Sequence, residues 1–201
     1  MYKVFGDMLS GNCYKVKLLM QLVGIAHEWV HVDILANETH TADFKRMNPN
    51  ARIPVVVLDD GRFLWESNAI LNYLAEGTPL LPADAYDRAK VLQWQFFEQY
   101  SHEPYIATAR YLNKYLGLPP ERAAEYHGKQ AGGHKALAVM EQHLAGHPFF
   151  VGDRVTIADI SLYAYTHVAP EGGFDLSAYP HIRRWCQEFE HLPGYIAMAR
   201  E

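Results

Sequence analysis

Four residues near the start of the chain have side chains able to do chemistry at close quarters: Ser10, Asn12, Cys13 and Tyr14, within DMLSGNCYKVKLL. The stretch lies where a short β-prone run, YKVF, hands over to a helical pattern. A hydroxyl or a carboxamide at a helix start can cap the helix or donate to an anion. A cysteine in the same place has its thiol pKa lowered by the helix N-terminus and can act as a nucleophile. Tyr14 begins the helix proper. Cap, anion donor and nucleophilic thiolate are all open to these residue types.

The elements that must position them follow from periodicity. Asn12 to Val23 carries an apolar stripe at Val16, Leu19, Met20 and Val23, the i, i+3, i+4, i+7 spacing of one helix face, and Gly24 stands where a C′ glycine ends a helix. HEWVHVDI, from His27 to Ile34, alternates partly and predicts a strand. The polar stretch from Ala36 to Lys45 predicts a short helix, and MNPNARIP a turn-rich loop. VVVLDDGRFLWE predicts two short strands around Asp59-Asp60-Gly61, a tight hairpin signal. SNAILNYLAEG predicts a helix capped by Ser67, with Ile70, Leu71 and Leu74 inward and Gly77 as its stop. The order β-α-β-α-β-β-α within residues 1–78 describes a compact α/β layer.

The composition then changes. TPLLPADAYD predicts a proline-rich linker over residues 79–87. Beyond it, residues 88–201 predict an all-α domain, with helices in RAKVLQWQFFEQY, PERAAEYHGKQAGGHKALAVMEQHL, TIADISLYAYTHVA, YPHIRRWCQEFEHL and PGYIAMARE. Thr156 and Asp159 have the spacing of a capping box, with Val155 and Ile160 placed as its hydrophobic staple.

The bulk numbers bound the function. A chain of 201 residues with 49% hydrophobic and 20% charged residues can bury a core without staples. A formal charge of -5 argues against a nucleic-acid partner, which needs a basic face. Two isolated cysteines, Cys13 and Cys186, make no disulfide framework. No apolar run approaches the roughly 18–20 residues that span a bilayer, and MYKVFGDML lacks a signal-peptide core. A cytoplasmic protein without a membrane partner is expected. The eleven histidines are spread along the chain, and no metal centre is expected of them.

Four motifs in order then carry a resemblance: LSGNCYKVK on the strand-to-helix loop, NPNARIPVV, LWESNAIL, and GDRVTIADI in the second domain. Together they resemble the cytosolic glutathione S-transferase family, along essentially the whole chain. The second motif is similar to N-P-x-G-K/R-V/I-P-x-L and departs from it at Ala51, where the family often has glycine. The resemblance implies an N-terminal thioredoxin-like domain and a C-terminal helical bundle domain. It implies glutathione as co-substrate and no tightly bound cofactor.

Residue by residue, it implies a cis Pro54 that turns the backbone of Ile53 toward the cysteinyl unit. Ser67, at a positive helix end, suits the γ-glutamyl carboxylate, and Glu66 the ammonium. Arg52 and His40 are offered to the glycyl carboxylate. Thiol activation falls to Ser10 first, Asn12 second, and Cys13 as a rival that would form a mixed disulfide. His102, Tyr105 and Arg110 are candidates for the electrophile pocket. A homodimer is implied, with Arg62, Phe63, Trp94 and Phe97 as contributors and Glu98 reaching across the interface. The leading expectation is conjugation of the glutathione thiolate to small, largely apolar electrophiles. Thiol–disulfide exchange through Cys13, and a non-catalytic interaction module on the same fold, are the alternatives.

Overall fold

The computed structural model describes residues 1–199. The chain forms two compact units, Met1–Thr78 together with the segment that begins at Pro193, and Pro79–Leu192.

The first unit runs β1 (Tyr2–Gly6), α1 (Gly11–Leu22), β2 (His27–His31), a 3₁₀ turn (Glu38–His40), α2 (Ala42–Met47), β3 (Val55–Val57), β4 (Phe63–Trp65) and α3 (Ser67–Leu74). This is the thioredoxin-like order expected from the sequence. The sheet order is β2-β1-β3-β4. β1 pairs parallel to β2, Val4 opposite Trp29, and antiparallel to β3, Val4 opposite Val56 and Phe5 opposite Val55. Side chains alternate across a strand. Phe5 and Val55 therefore share one face, where they pack with Val32 and with Phe44 of α2. Val4 and Val56 take the other face, and α1 and α3 pack on each other.

Two expectations in this unit are corrected. The polar stretch after Ala36 splits into the 3₁₀ turn and α2, because Thr41 starts a new helix by accepting from the Phe44 N–H at 3.2 Å. The terminal PGYIAMARE stretch, expected as helix in the second domain, is irregular from Tyr195 to Ala199 and belongs to the first unit; Arg200 and Glu201 lie outside the described residues. Gly194, at φ +84, turns the chain onto Leu22, and Met198 is buried.

The second unit is helical: α4 (Ala85–Phe97), α5 (Glu103–Arg110), α6 (Ala123–Leu144), α7 (Ile157–Thr166) and α8 (Pro180–Glu190). A π-helical turn, Glu98–His102, joins α4 to α5, and a second, Tyr111–Tyr115, follows α5. Pro104 is the second residue after the first of these turns, at a place where its missing N–H removes a ladder bond. The residues expected as a linker are held in this unit. The Ile157 N–H donates to the Leu80 carbonyl at 2.9 Å, and Asp84 caps α4 by accepting from the Tyr86 and Asp87 N–H groups.

All ten residues of α7 are buried, as a helix at the centre of a bundle requires. The capping box at its start is present. Asp159 accepts from the Thr156 N–H at 2.9 Å, the Phe150 N–H at 3.1 Å and the Trp185 indole at 3.0 Å. Among the described residues no helix is long and apolar enough to cross a membrane.

Candidate active site

The loop between β1 and α1 is built by Asp7. Its carboxylate accepts from the Leu9 N–H at 2.9 Å, a local turn typical of aspartate, and its carbonyl accepts from the Ser10 N–H at 3.1 Å. Ser10 is thereby placed as the N-cap of α1, with extended backbone angles, and its Oγ accepts from the Cys13 N–H at 3.4 Å. A hydroxyl that accepts from the backbone through its oxygen keeps its proton for another partner. Ser10 is half-buried, and its hydroxyl also lies within hydrogen-bond reach of the Cys13 thiol.

Asn12, one residue inside the helix, is also half-buried. Its Oδ1 accepts from the Lys15 ammonium at 2.8 Å and from the Ser67 hydroxyl at 3.1 Å. Ser67 is expected to cap α3, and the structure corrects this. Glu66 holds the cap position at φ +69, and Ser67 is the first helical residue. The turn at Glu66 aims Ser67 inward, where it meets Asn12 and lies 3.5 Å from the Lys15 Nζ. Glu66 itself is exposed at the same helix start.

Sequence reasoning missed Lys15. It has no exposed surface, although lysine is among the residues least often fully buried. The signal available in the sequence was its position in α1, directly before Val16 of the apolar stripe.

Cys13 is corrected as a nucleophile. It is fully buried, and its Sγ lies so close to Gly6 that a Cβ there would come within 2.7 Å of the sulfur. Burial pushes its thiol up to about 12, against smaller opposing contributions from the Ser10 hydroxyl and the Asp7 backbone. The helix N-terminus cannot offset the loss of water around a thiolate at this depth.

The remaining first-unit candidates lie between β2 and β3 in the chain. The Ile53–Pro54 peptide is cis, with Pro54 buried and Ile53 half-buried. Arg52 is exposed, and its carbonyl accepts from the Asn48 amide at 2.7 Å. Ala51 has φ +54, a left-handed conformation that explains why glycine suits this place in the motif. His40 is exposed, with Nδ1 3.1 Å from the Thr39 hydroxyl.

In the second unit, two of three electrophile-pocket candidates are corrected. His102 is fully buried, with Nε2 2.9 Å from the Thr166 hydroxyl, which gives its proton to the Leu162 carbonyl; it is a core histidine. Arg110 is buried with its Nε 2.6 Å from Glu171, and its charge is spent there. Glu171 is held below the usual carboxylate range: burial raises it, but Lys114 and Arg110 together outweigh that. Tyr105 does border a cavity of about 150 Å³ with Phe97, Tyr100, Lys135 and Val139. Its ring lies against Gly132, where a Cβ would come within 2.2 Å of it.

Two interface candidates also fall inside. Trp94 packs among Phe97, His143 and Phe150, and Glu98 is fully buried, accepting from the Gln99 amide at 2.8 Å. Arg62 and Phe63 are exposed, and Phe97 is half-buried.

Two histidine pairs have the spacing of metal ligands, which the expectation of scattered histidines overlooked. HEWVH, residues 27–31, reads as His-Glu-x-x-His, a zinc pattern on a helix. Here it is strand β2, whose rise sets the two histidines about 13 Å apart. His143 and His147 stack with parallel rings, centroids 4.3 Å apart, while His143 Nε2 faces the Phe149 carbonyl and His147 Nδ1 the His143 carbonyl. Among the described residues no group of three potential ligands could hold a metal.

The chain has a thioredoxin-like unit followed in sequence by a helical unit, and the first unit carries Ser10, Asn12, a cis Pro54, Glu66 and Ser67, of which Asn12 and Ser67 are in contact. The chain belongs to the glutathione S-transferase family: the N-terminal domain family profile matches residues 9–76, and the C-terminal domain profile residues 93–193. It is 33% identical to glutathione S-transferase 3 of Zea mays, over 96% of this chain and 90% of that protein. It superposes on a glutathione S-transferase from Pseudomonas fluorescens with a TM-score of 0.97 at 56% identity, covering 99% of each chain. Ure2p in complex with glutathione matches at a TM-score of 0.84 and 25% identity, covering 96% of this chain and 91% of that one.

Proposed function

We propose that this protein is a glutathione transferase that conjugates the glutathione thiolate to small, largely apolar electrophiles, and that it works as a cytoplasmic homodimer. The observation that carries the reading is the 3.1 Å hydrogen bond from Ser67 to Asn12. It ties the helix start suited to the γ-glutamyl carboxylate to the loop suited to the thiol, so one extended tripeptide engages both. Glu66 takes the ammonium, the Ile53 backbone pairs with the cysteinyl unit, and Arg52 with His40 takes the glycyl carboxylate.

A free thiol with a pKa near 8.5 is about 3% thiolate at pH 7. Ser10, with Asn12 beside it, donates to the bound sulfur, and the N-terminus of α1 adds its positive end. These interactions favour the thiolate, and the thiol proton leaves to solvent. The sulfur lone pair then forms a C–S bond. In a substitution the leaving group departs with its bonding pair; in an addition the adjacent carbon or heteroatom takes the pair and then a proton. Thiol–disulfide exchange through Cys13 has no accessible thiolate to begin it.

Isothermal titration with reduced glutathione tests the reading, with wild type beside Ser67→Ala. Saturable binding that Ser67→Ala weakens at least tenfold is the expected result. Ser10→Ala should then lower the rate on an activated aryl halide by about 10- to 100-fold, the scale of one lost charge-assisted hydrogen bond. Absence of binding at millimolar glutathione would reject the enzymatic reading and leave an interaction module.

A further inference from the structure

Asn48, at the end of α2, is 2% exposed, although asparagine is mostly a surface residue. Its polar groups are spent on the loop that follows. The side-chain Oδ1 accepts from the Asn50 N–H at 2.9 Å, and the backbone carbonyl accepts from the Ala51 N–H at 3.0 Å. The side-chain Nδ2 donates to the Arg52 carbonyl at 2.7 Å. Asn50 and Arg52 demand opposite ends of one carboxamide, an acceptor for the first and a donor for the second. An ionised carboxylate supplies only the acceptor.

The bond to Arg52 also sets the next peptide. The Arg52–Ile53 peptide is trans, so its carbonyl and its N–H point in opposite directions. With the carbonyl drawn to buried Asn48, the Ile53 N–H points away from it. Among the described residues that N–H donates to no group, and Ile53 is half-buried, packed against the cluster of Val32, Phe44 and Val55. A half-buried donor of this kind is completed by an acceptor from outside the chain. We propose that Asn48 is a positioning residue for glutathione: by holding the Arg52 carbonyl it keeps the Ile53 N–H turned to donate to the cysteinyl carbonyl of the tripeptide. The inference rests on the glutathione reading above and names the group that orients Ile53 for it. A flipped peptide would present its own carbonyl to that of the ligand, and the contact would be repulsive.

The test uses Asn48→Asp, which keeps an acceptor for the Asn50 N–H and turns the donor facing Arg52 into a second acceptor. Amide hydrogen exchange and amide shifts of the nitrogen-15-labelled protein are followed by NMR, with and without saturating reduced glutathione. In wild type, glutathione should slow exchange of the Ile53 N–H at least tenfold. In Asn48→Asp that protection should be lost and glutathione should bind about 5- to 10-fold more weakly, the scale of one hydrogen bond. The Ser67 amide, at the γ-glutamyl end, should still shift on binding. A merely structural role for Asn48 would lose both responses together.

If Asn48→Asp does not fold, Asn48→Ser decides by the same two amides. Its hydroxyl can accept from the Asn50 N–H but is too short to reach the Arg52 carbonyl as well, and it buries no charge. Three results would overturn the inference: a wild-type Ile53 amide indifferent to bound glutathione, full Ile53 protection in the variant, or joint loss of the Ile53 and Ser67 responses. Wild type that binds no glutathione would reject the glutathione reading and this inference with it, a different outcome from binding with an indifferent Ile53 amide.

Discussion

The Tyr14 hydroxyl donates to the Ile196 carbonyl at 2.7 Å, joining residues 182 apart in sequence. It is this bond, with the turn at Gly194, that brings the C-terminal segment onto the first unit. Tyr14 follows the candidate thiol-activating loop, yet it is buried and its proton is committed. Tyr14→Phe removes the bond and leaves the ring in place. It should cost about 1 kcal/mol and lower the melting temperature by about 2–4 °C, with faster hydrogen exchange after Gly194. The bound-thiol pKa should not move. A shift there would mean that Tyr14 takes part in activation.

Both cysteines should be silent to alkylation in the native protein. Burial pushes the Cys13 thiol up to about 12 and raises Cys186 as well. A native thiol that holds its proton above its unfolded pKa is stabilising only until the unfolded chain begins to ionise. Unfolding then releases protons, so stability falls as pH rises above about 8.5, by up to about 1.4 kcal/mol per unit for each thiol. Urea unfolding at pH 8, 9 and 10 should show this slope, and Cys13→Ala should reduce it. Rapid native labelling of Cys13 would contradict the burial.

Gly6 lies close against Cys13 and the Trp29 ring. A Cβ at Gly6 would meet the Cys13 sulfur at 2.7 Å and its Cβ at 3.2 Å. Gly6→Ala should destabilise by about 1–3 kcal/mol through overpacking. In a Cys13→Ala background the sulfur is gone, and part of that cost should disappear, the remainder coming from the residue 13 Cβ at 3.2 Å and the Trp29 ring at 3.3 Å. Denaturant unfolding of the four-member cycle measures the coupling; simple additivity would show that the clash is with something else.

Ala51 sits at φ +54 in the loop where related motifs place glycine. A side chain in the left-handed region costs roughly 1 kcal/mol that glycine does not incur. Ala51→Gly should therefore stabilise the protein by up to about 1 kcal/mol, less the added freedom of the unfolded chain. A loss of stability would refute the assignment of strain to this residue.

Asp159 is pulled two ways. Burial raises its carboxyl to about 6, while bonds from Thr156, Phe150 and Trp185 favour the carboxylate. Because the native pKa lies above the unfolded value near 3.9, the native state keeps a proton that the unfolded chain has lost. Stability from this group therefore falls as pH rises from about 4 to 6. Asp159→Ala leaves buried donors without an acceptor and should cost about 3–5 kcal/mol. Asp159→Asn should flatten the pH dependence in that window while still destabilising, because its amide hydrogens face donors.

Much of this was legible in the sequence because it is local. The β-α-β-α-β-β-α order follows from strand and helix periods, the Asp59-Asp60-Gly61 hairpin from turn chemistry, and the Thr156/Asp159 box from a three-residue spacing. The start of α1 was readable only to within two residues: the helix was expected from Asn12, and the cap falls at Ser10 with Gly11 as the first helical residue. HEWVH shows the limit of spacing alone, since the same letters hold zinc on a helix and keep their histidines apart on a strand.

What the tertiary structure decided is which polar side chains lost their water, and to whom. Nothing near Lys15 in sequence announces that Ser67, 52 residues on, completes its surroundings. Nothing near His102 or Arg110 announces Thr166 and Glu171. Cys13 has the sequence of a reactive thiol and the burial of a core residue. Periodicity gives the face of a helix, but the chemistry of a titratable group depends on desolvation and on partners far along the chain. Only the packed fold fixes those two quantities.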